Sequence, residues 1–471
     1  MALASLLLRL VLIAPLANCV SQIDWEDDGT GTWVTLPVIH GTNERRFGKR
    51  AVEVQLANRS DVAYYASIDI GSPPQQNFVQ LDTGSFELWV NPDCNSLRSN
   101  GDMKFCEAVG SYDPALSSTA TVLGETNTLR YGIGSADIEY VRDDITLSGS
   151  TSTATQIKFG KATRTDDEFA GILGIGYGLN FTTDYPNFID ELHDQGIMRR
   201  KAFSVGLGSK SEEEGAILFG AVDTKKYSGS LAKLPIIPAS DSPDGVARYW
   251  VNMNSISLTP PSKKTRVYEN TTSPVFLDTG ATLTLLPQDL TDAIATDFGS
   301  DGLDVNGFYQ VGCDLYDMEG TLNFAFDGVT IQIPYNEILR KQPTTPPKCY
   351  LGIVPNDEFL LLGDTFMRSA YVTFDLQDDN VYMAQYTNCG TSPQALNPDS
   401  DFSEVAGECA GSSVEEGNAA ADISGTTTLV DATASETSIA GAASGASLGF
   451  RIPTFTTLWA VTIGMVVVVG L

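Results

Sequence analysis

Two stretches of the chain repeat one pattern, in which an apolar run leads into Asp-Thr-Gly and a second apolar run follows. Residues 78–90 read Phe-Val-Gln-Leu-Asp-Thr-Gly-Ser-Phe-Glu-Leu-Trp-Val, and residues 274–287 read Pro-Val-Phe-Leu-Asp-Thr-Gly-Ala-Thr-Leu-Thr-Leu-Leu-Pro. Short apolar runs bounded by turn residues predict buried strands. Asp82 and Asp278 are then expected to be buried carboxyl groups, which need a partner or a chemical role because burying an unpaired charge is costly.

A second repeat accompanies the first. Residues 169–176 follow the first Asp-Thr-Gly and residues 359–366 follow the second, and both are apolar segments that contain glycine. A single Asp-Thr-Gly would be read as a turn, because Asp and Gly are turn formers. The repeated pair with repeated companions indicates an internal duplication. Two similar halves can place Asp82 and Asp278 face to face across a pseudo-twofold axis.

Most of the remaining pattern is that of strands and turns. The alternation of polar and apolar residues predicts strands at residues 64–70 and 249–258, and apolar spacing predicts helices at residues 186–197 and 287–298. The second helix is expected to begin at a proline and to bury Leu290, Ile294 and Phe298. Residues 20–50 are polar and predict no strand.

The repeated motifs resemble those of the bilobal pepsin-type aspartic proteases over residues 51–386. The resemblance implies an all-β fold of two β lobes related by a pseudo-twofold axis, with a few short helices and the active cleft between the lobes. The lobes are expected at residues 51–240 and 241–390. Within the family, the chain is most similar to the fungal yapsin-like enzymes that carry a GPI anchor, because signals for secretion and anchoring flank the protease core.

The resemblance also implies roles for the residues that match the family's motifs. Asp82 and Asp278 are expected to be the catalytic pair, and polypeptides are expected to be the substrates. The other implied roles are a flap tip at Tyr131 and Gly132, substrate contacts at Gly84, Ser85, Gly280 and Thr282, and a lock between the two loops at Thr83 and Thr279.

The chemistry expected of such a pair follows from its charges. Two carboxyl groups held close together cannot both ionise, so they share one proton and titrate in two separated steps. The charged acid can take a proton from water while the neutral acid binds the scissile carbonyl, which gives hydrolysis without a covalent intermediate. We therefore expect an acidic working range.

The second copy departs from the family at one position. Members usually carry a hydroxyl group three residues after each catalytic aspartate, and this chain has Ser85 in the first copy but Ala281 in the second. A hydrogen bond to a carboxylate favours its charged form, so losing the donor disfavours that form. The pH optimum is therefore expected to lie above that of a relative with serine or threonine there.

Cysteines are expected to be paired, since disulfides are usual in secreted proteins. Cys94 and Cys106 are read as a short disulfide loop, and Cys313 and Cys349 match the C-lobe disulfide of the family. Cys389 and Cys409 remain as a candidate third pair, although the sequence alone does not choose among the connectivities.

Composition excludes several other classes. The 471 residues suffice for two domains, and the formal charge of −30 argues against nucleic acid as a partner. The histidines are His40 and His193 alone, so a serine or cysteine protease would lack its base and a zinc site would lack ligands. We expect no metal and no cofactor.

The N-terminal residues carry signals for secretion. Residues 1–19 combine one arginine, an apolar run and small residues, which is typical of a signal peptide. Residues 20–50 end in two pairs of basic residues, Arg45-Arg46 and Lys49-Arg50. These pairs predict a propeptide removed by a protease that cuts at dibasic sites. A solvated cluster of charges is the alternative reading.

The C-terminal residues predict a surface anchor. Residues 391–449 are rich in Ser, Thr, Ala and Gly and predict a disordered stalk. The apolar tail of residues 450–471 fits a GPI-anchor signal with Gly445 as the attached residue, and an ordinary C-terminal membrane anchor is the alternative. The expected product is a monomer on the plasma membrane, in the cell wall or outside the cell. Sequons for glycosylation lie at Asn58, Asn180 and Asn270.

Two readings from other classes stay open. A wall-remodelling glycosidase also uses two carboxyl groups, but it predicts neither paired Asp-Thr-Gly turns nor a flap. The other reading is a surface-binding protein on an inactive protease scaffold. The presence of both acids, both threonines and Tyr131 counts against it.

Overall fold

The computed structural model describes residues 33–40 and 63–410, apart from short gaps at residues 92–93, 95–96, 98–99, 133, 148–149, 167, 169, 213, 262, 343 and 359. The signal peptide, the dibasic pairs, Asn58 and the GPI signal with Gly445 lie outside the described residues. Among the described residues, no helix is both long enough and apolar enough to cross a bilayer.

Strands dominate the described residues, and the helices are short. The strands of the first half are β1 (Val34–His40), β2 (Tyr64–Ile70), β3 (Gln75–Asp82), β4 (Leu88–Val90), β5 (Thr121–Arg130), β6 (Ser135–Leu147), β7 (Thr153–Asp166), β8 (Gly171–Gly174), β9 (Ala202–Gly206), β10 (Glu214–Phe219), β11 (Ala221–Asp223), β12 (Ser228–Ser230) and β13 (Ala232–Pro235). The strands of the second half are β14 (Trp250–Met253), β15 (Ser255–Thr259), β16 (Arg266–Val267), β17 (Ser273–Leu277), β18 (Thr284–Leu286), β19 (Gln310–Val311), β20 (Thr321–Phe326), β21 (Val329–Pro334), β22 (Leu339–Gln342), β23 (Lys348–Leu351), β24 (Ile353–Pro355), β25 (Leu361–Leu362), β26 (Ala370–Asp375), β27 (Asn380–Gln385), β28 (Pro393–Ala395) and β29 (Ala406–Glu408). The α-helices are α1 (Asn100–Val109), α2 (Phe188–Asp194), α3 (Gln288–Asp297), α4 (Tyr335–Ile338) and α5 (Asp364–Met367).

One large sheet joins the two halves of the chain. Its strand order is β13-β27-β26-β9-β10-β1-β2-β3-β8-β4-β7-β6-β5, so β26 and β27 of the second half continue the sheet of the first. At the junction Phe203 on β9 faces Phe374 on β26 in register, and their rings stack with centroids 4.9 Å apart. Because a slip by one residue would turn these rings away from each other, the junction fixes the register between the halves.

The two halves repeat one strand arrangement around each acid. β3 ends at Asp82 and pairs in parallel with β8, while β17 ends just before Asp278 and pairs in parallel with β25. β4 and β18, the next strands of each copy, pair antiparallel with the same β8 and β25. The second repeat seen in the sequence therefore supplies the partners of the acid-bearing strands, as a duplication predicts.

A strand occupies part of a segment for which the sequence predicted none. β1 lies between β10 and β2 in the large sheet, and Leu36 and Val38 are fully buried. The expectation of no strand in residues 20–50 is wrong for β1. Trp33, Val34 and Thr35 are also buried, so the strand lacks the polar and apolar alternation that marks a half-exposed strand.

The ordered part of the chain extends past the predicted start of the stalk. β28 pairs with β11 and β29 pairs with β12, while Leu396 and Phe402 are buried. A disulfide between Cys389 and Cys409 closes the segment. The expectation of a disordered stalk from residue 391 is therefore wrong for residues 391–410. A cross-link and a few apolar anchors order a segment whose polar composition alone predicts disorder.

The predicted local features are largely present. Disulfides join Cys94 to Cys106 and Cys313 to Cys349. The predicted strand at residues 64–70 coincides with β2, whereas the predicted strand at residues 249–258 is divided between β14 and β15. The second predicted helix corresponds to α3, which starts one residue after Pro287, so this proline is the N-cap instead of the first helical residue. Helices often start one or two residues from a predicted boundary.

Candidate active site

The fold brings Asp82 and Asp278 together. Both side chains are fully buried, and the two carboxyl groups are close enough for the negative charge on Asp82 to raise the pKa of Asp278. Gly84 and Gly280 make this close approach sterically possible. A Cβ atom added at Gly84 would lie 2.7 Å from the carboxyl carbon of Asp278, and one added at Gly280 would lie 2.6 Å from that of Asp82.

The backbone around each acid is held by the neighbouring strand of its own half. The Ile175 N–H donates to the carbonyl of Asp82 at 2.9 Å, and the Asp278 N–H donates to the carbonyl of Leu362 at 3.1 Å. Each acid therefore sits at a strand end whose position is set by the second repeat. Rigid placement of this kind is what a catalytic pair needs, since small displacements cost large factors in rate.

Thr83 and Thr279 lock the two acid loops to each other. The Thr83 N–H donates to Oγ1 of Thr279 at 3.1 Å, and the Thr279 N–H donates to Oγ1 of Thr83 at 2.9 Å. Each hydroxyl group also donates to a carbonyl group of the opposite half, from Thr83 to Leu277 and from Thr279 to Leu81. Because all four bonds are buried and reciprocal, losing one threonine would leave buried groups unpaired.

The two acids differ in the donors that they receive. The Gly84 N–H donates to Oδ1 of Asp82 at 2.8 Å, and the Ser85 hydroxyl donates to Oδ2. The Gly280 N–H donates to Oδ1 of Asp278 at 2.9 Å, but Oδ2 of Asp278 has no hydrogen-bond partner among the described residues. Ala281, at the position equivalent to Ser85, has no hydroxyl to offer.

This difference separates the titration of the two groups. Burial raises the pKa of both carboxyl groups, and the donors from Ser85 and Gly84 oppose that rise at Asp82. The pKa of Asp278 lies well above its ordinary value because of burial and then because of the negative charge on Asp82. The interaction between the two carboxyl groups lowers the pKa of Asp82 and raises that of Asp278. The favoured arrangement is an ionised Asp82 beside a protonated Asp278.

Restoring the missing hydroxyl should move the activity toward lower pH. In Ala281→Thr, a hydroxyl three residues after Asp278 can donate to the unpartnered Oδ2 and favour its charged form, which lowers the pKa. We expect the pH optimum of kcat/KM to fall by about one unit, since one net hydrogen bond is worth about 1 kcal/mol. The measurement is a pH–rate profile on a peptide substrate.

The matched control for this change is Ala281→Val. Valine has nearly the shape of threonine but no hydroxyl group, and Ala281 is fully buried beside Leu283 and Trp250, so both variants meet the same crowding. The valine variant should keep the pH optimum of the parent even if it is less stable. An unmoved optimum in Ala281→Thr, or equal shifts in both variants, would refute the explanation.

Tyr131 lies at the tip of the hairpin formed by β5 and β6. Its N–H donates to the carbonyl of Gly134 at 2.8 Å and closes the turn, and Gly132 in that turn is exposed. The Trp89 indole N–H donates to the Tyr131 hydroxyl at 2.5 Å. The hairpin therefore has the form expected of a flap, with an exposed glycine at its end and a buried tyrosine anchored to β4.

The remaining sequence-predicted residues fall in two groups. Gly84 and Gly280 lie against the acids, where their carbonyl groups accept hydrogen bonds from Arg248 and Gln80, and Thr282 is buried in the loop after Asp278. The glycosylation candidates Asn180 and Asn270 are exposed. They have φ values of 68° and 56°, which asparagine tolerates better than most residues.

Several residues near the acids were missed by the sequence reasoning. Trp89 lies inside the first repeat, and Asp364 lies inside the second-repeat segment of the second half, so both stood within motifs already recognised. Asp364 is fully buried, and neither of its carboxyl oxygens has a hydrogen-bond partner among the described residues. Arg248 gave no pattern beyond being a basic residue beside Tyr249 and Trp250. No group of three or more potential metal ligands occurs in the part of the chain that the structure describes.

Known proteins match this chain in sequence and in fold. The family described as eukaryotic aspartyl protease matches residues 63–386. Secreted aspartic protease 8 of Candida albicans is 35% identical over 340 residues, which are 71% of this chain and 78% of that protein. Candidapepsin-1 of Candida albicans (strain WO-1) is 36% identical over 368 residues, which are 75% and 88% of the two chains. The aspartic proteinase from Irpex lacteus has a similar fold, with a TM-score of 0.57 at 22% identity over 76% of this chain and 98% of its own.

Proposed function

The chain belongs to the eukaryotic aspartyl protease family and is an aspartic endopeptidase, and from this premise we propose that Asp82 and Asp278 together activate the water that cleaves the peptide bond. The all-β, bilobal pepsin-like fold expected from the sequence is confirmed. The observation that carries the proposal is the close approach of two fully buried carboxyl groups, since a Cβ atom added at Gly84 or Gly280 would lie within 2.7 Å of the carboxyl carbon from the opposite half. Such a pair holds one proton between an acid and a base.

The proposed reaction uses the difference between the two acids. Asp82, which has donors on both oxygens, carries the negative charge and takes a proton from the attacking water. Asp278 gives its proton to the oxygen of the scissile carbonyl as the water oxygen bonds to the carbonyl carbon. Asp82 then passes the proton that it took from water to the leaving nitrogen, and Asp278 takes a proton back from a hydroxyl group of the tetrahedral intermediate as the carbon–nitrogen bond breaks. A carboxylic acid and an amine are released, and the pair returns to its starting state.

The hairpin tip is proposed to cover the bound polypeptide. Tyr131 and Gly132 stand at the end of long strands, and closing them over the substrate would exclude water from the reacting groups. The Trp89 indole that binds the Tyr131 hydroxyl belongs to β4, the strand after the Asp82 loop. The position of the flap is therefore coupled to the loop that carries the charged acid.

The route to the cell surface is inferred from sequence signals. The named relatives are secreted aspartic proteases, and the N-terminal signal pattern of this chain agrees with secretion. A propeptide at residues 20–50, cleavage at the dibasic pairs and a GPI anchor at Gly445 are part of the proposal. β1 belongs to the proposed propeptide and is built into the large sheet, which supports a role of that segment in folding. The yapsin-like subtype depends on these signals alone.

The proposed function is tested by cleavage of a peptide library at acidic pH. The full chain is produced by secretion from a eukaryotic host, so that its disulfides and any processing are retained. We expect cleavage within peptides, and inhibition by a statine-type mimic whose hydroxyl group takes the place of the attacking water. Cleavage that is unaffected by the mimic would reject the mechanism, and absence of cleavage across the acidic range would reject the proposed activity.

A further inference from the structure

A buried guanidinium group lies between the two acid loops. Arg248 stands just before β14 and is 2% exposed. Its Nε donates to Oδ2 of Asp244 at 2.7 Å, and its Nη1 donates to the carbonyl of Gly84. Arginine is rarely buried unless it is paired, and Asp244 is the paired group, with 28% of its side chain exposed.

The same guanidinium group contacts both halves of the site. Its central carbon lies 5.1 Å from the ring centroid of Phe86 and 5.6 Å from that of Phe276. Phe86 is two residues after Gly84 in the first acid loop, and Phe276 lies on β17, two residues before Asp278. Both distances are within the range of cation–π attraction. Arg248 therefore contacts the first acid loop through a carbonyl group and a ring, and the strand that leads to Asp278 through a ring.

Gly84 and Gly280 receive different donors at equivalent carbonyl groups. The amide of Gln80 donates to the carbonyl of Gly280 at 2.9 Å, whereas the charged guanidinium of Arg248 donates to that of Gly84. Only one of the two positions brings a full positive charge to the acids. This charge is screened little by water, because Arg248 and both acids are almost completely buried.

We propose that Arg248 is a positioning residue of the active site, which joins the first acid loop to the strand that leads to Asp278 and supplies the positive charge that balances the ionised pair. The proposal rests on the proposed function, since it concerns the same two acids. The charge is needed because the pair carries one negative charge in a fully buried site, where an uncompensated charge is costly. Arg248 favours ionisation of both acids, which agrees with the direction in which it acts on each pKa.

Other charged and titratable groups also face the acids. Asp364 on α5 faces Asp278: burial raises the pKa of Asp364, the cation of Arg368 lowers it, and the negative charge of Asp278 raises it further. Tyr131 of the flap faces Asp82, and its pKa lies well above its ordinary value because of burial and the nearby negative charges of Glu168 and Asp82. The positive charge of Arg248 lowers the pKa of both catalytic acids. Asp364 and Tyr131, which also face the acids, are negative or neutral.

Removing the charge should shift the whole pH–rate profile. In Arg248→Met, the ionised pair loses its nearby cation, so both steps of its titration should move to higher pH, by about one unit. In Arg248→Lys, the charge is kept, and the profile should stay within a few tenths of a unit of the parent even if kcat falls. The experiment compares pH profiles of kcat/KM for the full chain and the two variants.

Arg200→Met is the matched control for loss of a buried arginine. Arg200 is also 2% exposed, pairs with Asp375 and Asp378, and lies 5.1 Å from the ring centroid of Phe402. Its loss should lower the melting temperature and leave the pH profile in place. A shift of the profile in Arg248→Met but not in Arg200→Met separates a charge effect on the acids from a general loss of stability.

The outcomes distinguish this inference from the proposed function. If Asp82→Asn is inactive but Arg248→Met keeps the parent profile, or if Arg248→Lys shifts as much as Arg248→Met, the inference is wrong and the proposed function stands. If Arg248→Met does not fold, Asp244→Asn is read instead. The Asp244→Asn variant loses a negative charge beside Arg248, which should lower the pKa of the acids and move the pH profile of kcat/KM toward lower pH. A profile that stays in place or moves to higher pH would overturn the inference.

Discussion

Replacing Asp82 with asparagine should lower kcat/KM for peptide cleavage by about a thousandfold or more, since a single positioned acid or base contributes about 10²–10⁴ in rate. The side-chain oxygen of asparagine can still accept from the Gly84 N–H, and its amide nitrogen can donate to the Ser85 hydroxyl oxygen, so the loop should keep its shape. It cannot carry the charge or take a proton from water. The measurement is single-substrate kinetics at the pH optimum of the parent, together with a thermal melt.

Asp143→Asn is the matched control for this variant. Asp143 is also fully buried in the first half, where it accepts a hydrogen bond from the Tyr112 hydroxyl at 2.8 Å. Its replacement should cost about 1–3 kcal/mol of stability and leave kcat/KM within a few-fold of the parent. An Asp82→Asn enzyme with near-parental activity would contradict the assignment of Asp82, whereas equal losses in both variants would indicate damage to the fold.

The second large effect is expected from one added methyl group. In Gly280→Ala, the new Cβ would lie 2.6 Å from the carboxyl carbon of Asp82, which is closer than a real Cβ contact allows. The loop must move, and the two acids must separate. We expect a loss of at least about a hundredfold in kcat/KM, because a displacement of about 1 Å at reacting groups costs about that factor.

Two further alanine variants serve as a second test and as a control. Gly84→Ala brings a Cβ to 2.7 Å from the Asp278 carboxyl and should cause a loss of similar size from the other side of the pair. Gly206→Ala on β9 is the control, because its nearest neighbour would be a ring carbon of Tyr386 at 3.3 Å, which requires only a small adjustment. If both Gly280→Ala and Gly84→Ala were as active as Gly206→Ala, the acids would not be as close as described.

The arrangement around the acids could be predicted because it depends on local pattern and duplication. An apolar strand that ends in Asp-Thr-Gly specifies a buried strand and a tight turn, and its second copy specifies a related half. The absence of a hydroxyl at Ala281 was also readable from the sequence. Its structural consequence is the unpartnered Oδ2 of Asp278.

The elements that escaped prediction depend on long-range pairing. β1 has Pro37 in its middle and is stable because β10 and β2 pair with it on both sides. The segment after residue 390 has a polar composition, but it is held by pairing with β11 and β12 and by the disulfide to Cys409. Composition and the alternation of polar and apolar residues describe one segment at a time. Neither shows which distant strand that segment will pair with.

Arg248 shows the same limit at the site itself. Its role follows from Phe86, Phe276 and the Gly84 carbonyl, and two of these contacts cross long stretches of the chain. A single arginine before Tyr249 belongs to no sequence motif from which such contacts could be predicted. Only the three-dimensional arrangement relates its charge to the acids.

Neutron diffraction from a deuterated crystal, grown near the pH of maximum activity, would locate the proton that Asp82 and Asp278 share. We expect the carboxyl groups of Asp82 and Asp278 to lie within hydrogen-bond distance and to hold one deuteron between them, bonded to Asp278. A deuteron on each acid, no deuteron on either, or two carboxyl groups held apart in separate ion pairs would contradict it.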